Sequence, residues 1–188
     1  MRPRATRCKG CPYHPAGNLY NPKFIGDFIP PSGPEDAVLM VIGITGGEEE
    51  EIRGEPLVGP SGRKTTRALQ WGAGSEGSRL TIRKYNLFNC RARKPGVTRK
   101  FVNRIPSVAE FRACCERWLF PELRTTPAKL VLCFGADVYK FLFRSTKGYQ
   151  FDVFGKAMGH RLWKPQADIT PQGGLGRRIV TYGKIYET

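Results

Sequence analysis

Three unbroken apolar runs constrain this chain of 188 residues more than any other feature. They are AVLMVIG (37–43), KLVLCFG (129–135) and RRIVTYG (177–183). A fourth, shorter one lies within RLTIRKYNLFNC and predicts a strand over Tyr85–Asn89. Runs without polar alternation are strands buried on both faces, as in parallel sheets. Helical patterns fall between them. RKTTRALQWG follows the first run, and ADVYKFLFRS follows the third in chain order. SVAEFRACCERWLFPEL places Val108, Phe111, Cys115, Trp118 and Leu119 at helical spacing, with Ser107 and Glu110 as a capping box. Strand and helix alternate, so the expected fold is α/β. It is a three-layer α/β/α sandwich with a central four-stranded, mostly parallel sheet. One domain over residues 1–188 is expected, with residues 1–36 as an irregular Pro- and Gly-rich arm.

The charge balance points to a polyanionic partner. Thirty-one Lys and Arg face 16 Asp and Glu, a net charge of +15. Nucleic acid is the first expectation for such a surface. No run approaches the roughly 18 apolar residues that a membrane span needs, and no basic amphipathic helix suggests a membrane surface. The N-terminus MRPRATRCKG carries charge without a following apolar stretch, unlike a secretory leader. An intracellular monomer is expected. In that setting six cysteines point to ligation rather than to stable disulfides. Cys133, inside KLVLCFG, reads as a small core residue.

Two local patterns carry chemistry. RCKGCPYH sets Cys8 and Cys11 two residues apart near the start of the chain. Four thiolates have the softness and count for zinc or for an iron–sulfur cluster. Zinc ribbons usually pair two short CxxC knuckles, which the long gaps here fit less well. The other pattern is ITGGEEEEIRGEPLVGPSG, a long loop at the carboxyl end of the first strand, where open α/β sheets bind ligands.

Five pieces, in order, resemble the family-four uracil-DNA glycosylases, which carry an iron–sulfur cluster. They are the CxxC, the strand entering a Gly-rich loop that ends GEPLVGPSGR, NLFNC, NRIPSVAEFRAC and TPAKLVLCFGADV. The resemblance spans nearly the whole chain. It implies a 4Fe–4S cluster held by Cys8, Cys11, Cys90 and Cys114, with Cys115 as rival for the fourth place and zinc as the alternative cofactor. It implies DNA as partner, single- or double-stranded, with a flipped base read on its Watson–Crick edge. Asn86 matches the asparagine that reads the pyrimidine. Gly43, Ile44, Thr45, Gly46 and Gly47 match the loop around the base, with Leu57 and Gly183 completing the base site. Arg63, Lys64, Arg67, Arg91, Arg93, Lys94 and Lys184 are the expected DNA contacts, most of them from the helix after the loop and from the basic segment Arg91–Arg104.

The departures fall on the catalytic motifs. Where the family has a glutamate and a proline, this chain has Ile44 and Gly46. Its stacking phenylalanine is Leu57, and its catalytic histidine is Gly183. Glu50 and His160 are then the catalytic candidates, Glu50 to orient water or to stabilise a cationic sugar. Two functions follow. One is a glycosylase that excises uracil or a modified pyrimidine by N-glycosidic hydrolysis. The other is a catalytically defective scaffold that binds DNA.

Overall fold

The computed structural model describes residues 6–72, 74, 80–97, 101–144, 164–165, 178–181 and 184–187. Among the described residues, ten strands and five α-helices are found, with one main sheet. The strands are β1 (Ile25–Phe28), β2 (Leu39–Thr45), β3 (Ile82–Phe88), β4 (Cys90–Pro95), β5 (Phe101–Asn103), β6 (Leu130–Cys133), β7 (Phe143–Arg144), β8 (Lys164–Pro165), β9 (Arg178–Thr181) and β10 (Lys184–Glu187). The helices are α1 (Glu48–Arg53), α2 (Pro60–Gly72), α3 (Val108–Cys115), α4 (Leu119–Thr125) and α5 (Ala136–Leu142).

The main sheet has the order β10-β9-β6-β2-β3. Its strands β9, β6, β2 and β3 are parallel, and they are the four apolar runs of the sequence. The expected count of four is corrected to five, because β10 adds an antiparallel edge beside β9. A chain that turns straight back after a strand can only pair antiparallel. Along β2 the side chains alternate between faces. One face places Met40, Ile42, Tyr85, Leu87, Val131 and Cys133 against Phe111, Leu119, Phe120, Val138 and Leu142 from α3, α4 and α5. On the opposite face the loop after β2 and helix α2 lie over the carboxyl end of the strands, and a cavity separates them from the sheet.

Three local expectations change. The loop after β2 contains α1, because four glutamates at the start of a helix suit the positive end of its dipole. The segment expected as one helix from Ser107 to Leu123 breaks at 116–118 into α3 and α4. The basic segment Arg91–Arg104 is not a plain loop. Its ends are β4 and β5, an antiparallel pair within a second sheet of order β1-β4-β5.

The predicted capping box is present. The Ser107 hydroxyl accepts from the Glu110 N–H at 3.3 Å, and Glu110 Oε2 accepts from the Ser107 N–H at 2.7 Å. Arg104 also grips the buried Glu110 through both guanidinium nitrogens, one of them at 2.8 Å. Burial raises the Glu110 carboxyl. The Arg104 hydrogen bond and the Ser107 contacts outweigh it and hold the group below the usual carboxylate range. A depressed folded-state value stabilises the fold at neutral pH, and that stabilisation is lost as pH falls through it. Glu110→Gln should therefore cost most at neutral pH. The gap in melting temperature between wild type and variant should close as pH drops below about 4. Melting curves over a pH series check this, and a gap that widens on acidification would contradict it.

Candidate functional site

The cavity at the carboxyl ends of β2, β3 and β6 has a volume of about 1090 Å³. Its floor is built on one glycine. Gly43 of β2 stands opposite Asn86 of β3. A Cβ at Gly43 would lie 2.7 Å from Asn86 Oδ1 and 3.2 Å from Leu57 Cδ2. Only a residue without a side chain lets the carboxamide and the leucine meet over the sheet. Asn86 is 2% exposed, and its Nδ2 is a buried donor with no protein acceptor among the described residues. Leaving such a donor unpaired costs about 1–3 kcal/mol. Asn89 Nδ2, Arg93 Nε and Trp118 Nε1 are also buried without an acceptor among the described residues, and of the four groups Asn86 is the one that lines the cavity.

The loop over the cavity is held in a strained shape. Leu57 has φ 60°, a left-handed conformation unusual for a residue with a side chain. Its carbonyl oxygen packs so close to Gly62 of α2 that a Cβ there would sit 2.1 Å away. The glycine in PSG thus lets the helix begin directly against the loop.

The four glutamates of α1 point to different tasks. Glu49 pairs with Arg63 at 2.5 Å, and the hydrogen bond from Arg63 lowers its carboxyl pKa. Glu50 accepts from the Gly47 N–H at 2.8 Å and from the Gly59 N–H at 2.7 Å. Both of its oxygens are engaged, and they join the two ends of the loop beside the cavity. Glu51 accepts from the Asp27 N–H at 2.6 Å and pairs with Arg91 at 2.8 Å and Arg93 at 3.4 Å. Glu48 remains largely exposed, 3.8 Å from Arg91.

Those pairs engage two of the residues expected to contact DNA. Arg91 is 5% exposed and also donates to Asn103 Oδ1 at 2.9 Å. Arg93 donates to the Pro22 carbonyl at 2.8 Å and lies 4.2 Å over the Phe101 ring. Both are internal joints between α1, β1, β4 and β5, because a buried guanidinium must be paired. Lys64, Arg67 and Lys94 are exposed, and Arg63 is half engaged through Glu49. Lys184 belongs to β10, at the far edge of the sheet from β3. His160 and Gly183 lie outside the described residues.

Of the residues expected around the base, Gly43, Ile44, Thr45, Gly47, Leu57 and Asn86 all line the cavity, as does Glu50. Gly46 faces away from it, toward Ile29. Phe101, Asn103 and Phe134 line it too. Phe134 had a signal: it precedes a glycine at the carboxyl end of an apolar strand. The other two lie in the basic segment and had none.

The cysteines divide into two groups. Cys8 and Cys11 sit on an irregular arm, where the Cys11 N–H donates to the Cys8 carbonyl at 3.0 Å. Arg117 holds the arm by donating to the Gly10 carbonyl at 3.1 Å and to Ala113 at 2.8 Å. Burial pushes the Cys114 thiol up; Cys90, Cys8 and Cys11 push it further, against a backbone hydrogen bond from Asn89 that lowers it. Cys8, Cys11 and Cys90 therefore each stand within electrostatic reach of Cys114. Cys114 Sγ accepts the Asn89 N–H at 3.2 Å. Cys115 instead donates its S–H to the Leu87 carbonyl at 3.2 Å inside the core. Cys133 is buried, and burial raises its thiol to about 12. Among the described residues no three His, Cys, Asp or Glu side chains close on a single metal ion. A tetrahedral zinc at about 2.3 Å from each sulfur needs them about 3.8 Å apart. Four soft sulfur donors are of the kind that hold either zinc or an iron–sulfur cluster.

A parallel sheet with its ligand cavity at the carboxyl strand ends defines the class as a ligand-binding α/β fold. The chain matches the Uracil DNA glycosylase superfamily over residues 30–182 and belongs to it. Similar proteins include the type-4 uracil-DNA glycosylase of Saccharolobus solfataricus, 28% identical over 137 residues, which are 73% of this chain and 58% of that protein. Proteins of the same description from Archaeoglobus fulgidus and Sulfurisphaera tokodaii are 26% identical over 137 residues and 27% over 143. These matches take in 72% and 76% of this chain, and 58% and 60% of the relatives. The chain thus spans about three-fifths of the length of the curated relatives it matches.

Glu50→Gln tests the loop clamp. A carboxamide offers one acceptor oxygen where two backbone N–H groups need one each. The variant should unfold with about 1–3 kcal/mol less free energy than wild type. Urea titration measures this, and an unchanged midpoint would place the clamp's strength elsewhere.

Proposed function

We propose that the chain is a DNA glycosylase that draws a pyrimidine out of DNA into this cavity and hydrolyses its N-glycosidic bond. The observation that carries the reading is the buried Asn86 Nδ2, without an acceptor among the described residues, in a cavity at the strand ends. Asn86 would donate to a carbonyl oxygen of the base, where negative charge gathers as the bond breaks. Water attacks C1′, the C1′–N bond breaks, and its electron pair leaves with the base. Glu50 holds a negative charge near the forming sugar cation while fixing the loop. Uracil is the first substrate to try, given the names of the relatives, and 5-substituted pyrimidines come next. Lys64, Arg67, Lys94 and Arg63 are the proposed phosphate contacts, in an intracellular monomer.

The thiolate set supports a 4Fe–4S cluster on Cys8, Cys11, Cys90 and Cys114. When bound, such a cluster supplies visible thiolate-to-iron charge-transfer absorbance. These residues would hold it against α3 and the start of β4, so that it ties the arm to the sheet. Cys114→Ser should bleach that absorbance. Cys115→Ser should leave it in place, because its S–H serves the Leu87 carbonyl. Zinc without iron or sulfide in anaerobically prepared protein would contradict the assignment.

A specific observation favours the second reading, a DNA-binding scaffold without hydrolysis. Both Glu50 oxygens already accept backbone N–H groups, so this carboxylate is poorly placed to take a proton from water. Incubation with uracil-containing single- and double-stranded oligonucleotides, followed by alkaline cleavage of abasic sites, separates the two. Base release is expected, and Asn86→Ala should slow it about 100- to 1000-fold. Tight DNA binding without release from any substrate would leave the scaffold.

A further inference from the structure

We propose that Phe134 is the aromatic contact for the captured base, across Gly43 from Asn86. This rests on the reading of the cavity as a pyrimidine site. The sheet register carries the argument. Gly43 stands opposite Asn86 on one side. On the other side the pairing of β2 with β6 ends at Ile42 and Cys133, and the Phe134 N–H still donates to the Ile42 carbonyl at 2.8 Å. Phe134 therefore comes next in register, beside Gly43. Residues opposite each other in parallel strands present their side chains to the same face. The row is a carboxamide, a gap and an aromatic ring.

Neighbouring strands lie about 4.8 Å apart, so the backbones at Asn86 and Phe134 are separated by roughly 10 Å. A side chain at Gly43 would close that space. Phe134 is 37% exposed, which leaves much of a large apolar ring uncovered at the cavity. Phe101 is the other phenylalanine of the lining, and its ring already carries the Arg93 guanidinium at 4.2 Å. Leu57 brings apolar surface but no π face. A flat ring held by its edge at Asn86 meets Phe134 in an offset or edge-to-face contact, the arrangements aromatic pairs prefer.

Binding is measured with an oligonucleotide carrying 2′-fluoro-2′-deoxyuridine, which resists cleavage. The same oligonucleotide with a tetrahydrofuran abasic analogue at that position serves as reference. The ratio of the two affinities isolates the base contact from the phosphates. Base–aromatic contacts predict that Phe134→Ala lowers this ratio about 5- to 150-fold. Phe134→Tyr should keep it. Phe134→Leu, apolar and similar in bulk, should lose it as the alanine does, and it serves if the alanine variant does not fold. Should Asn86→Ala lower the ratio while Phe134→Leu leaves it intact, the cavity reading stands and the role of Phe134 is overturned. Should wild type show no preference for the base at all, both fall.

Discussion

A backbone corner at Asn89 is the constraint from which both candidate sites depart. The chain leaves the main sheet there and enters the second sheet one residue later, as β4. The corner is 1% exposed, so its backbone groups need partners. Its N–H goes to Cys114 Sγ, and its carbonyl accepts the Ile29 N–H at 2.6 Å. Asn86 lies three residues before the corner and Cys90 one after it. The orientation of the cavity's carboxamide and of the thiol set is thereby fixed by one short piece of backbone. Any group that draws Cys114 into ligation also bears on the end of β3. In the proposed reading, that is how a cofactor remote from the chemistry supports the pocket.

The charge of the chain is less available to a partner than its sum suggests. Arg83 is held by Glu122 at 2.6 Å, Arg91 by Glu51, and Arg104 by Glu110. Each carboxylate in these pairs is largely buried, and removing one partner would strand a charge in a poor solvent for it. These arginines specify how loops and strands meet. The exposed lysines and arginines of α2 lie beside the cavity, since the same helix lends it Thr65, Ala68 and Leu69. A polyanion attracted to α2 would be brought alongside the strand ends. Position, more than total charge, makes the helix the stronger part of the proposed DNA surface.

The parallel strands are legible in the sequence because each is built on a short apolar run, unbroken in β2 and β6, of the kind a doubly covered sheet buries. The edge strand β10 is not, since KIYE is short and carries charge at both ends. The β4–β5 pair is hidden for a related reason. Strand β4 is basic, and its arginines are neutralised by glutamates some 40 residues earlier, a contact no local pattern reveals. Glycines carry the legible part of the cavity. Gly43 and Gly62 stand where a Cβ would strike a neighbour, and both belong to motifs that mark a tight approach. Phe134 is marked only by its place before a glycine at a strand end, and Phe101 joins the cavity through strand pairing that spacing along the chain does not encode. Cys114 and Cys115 are adjacent in sequence and differ through their partners, an N–H donor for one and a carbonyl acceptor for the other.

The geometry of Glu50 bears on how hydrolysis would proceed. A general base needs a lone pair directed at water, whereas a stabiliser of positive charge needs only to be near and ionised. With one oxygen on Gly47 and the other on Gly59, Glu50 meets the second requirement better than the first. Its two N–H partners also keep it from swinging away, so its field is preorganised and costs no rearrangement during reaction. Bond breaking in the proposed step would then lean on departure of the base as an anion, with water following into a cation already formed. Such a step places its heaviest demand on the group that receives the leaving electron pair. In this cavity that demand falls on the Nδ2 of Asn86, a buried donor without a protein acceptor among the described residues.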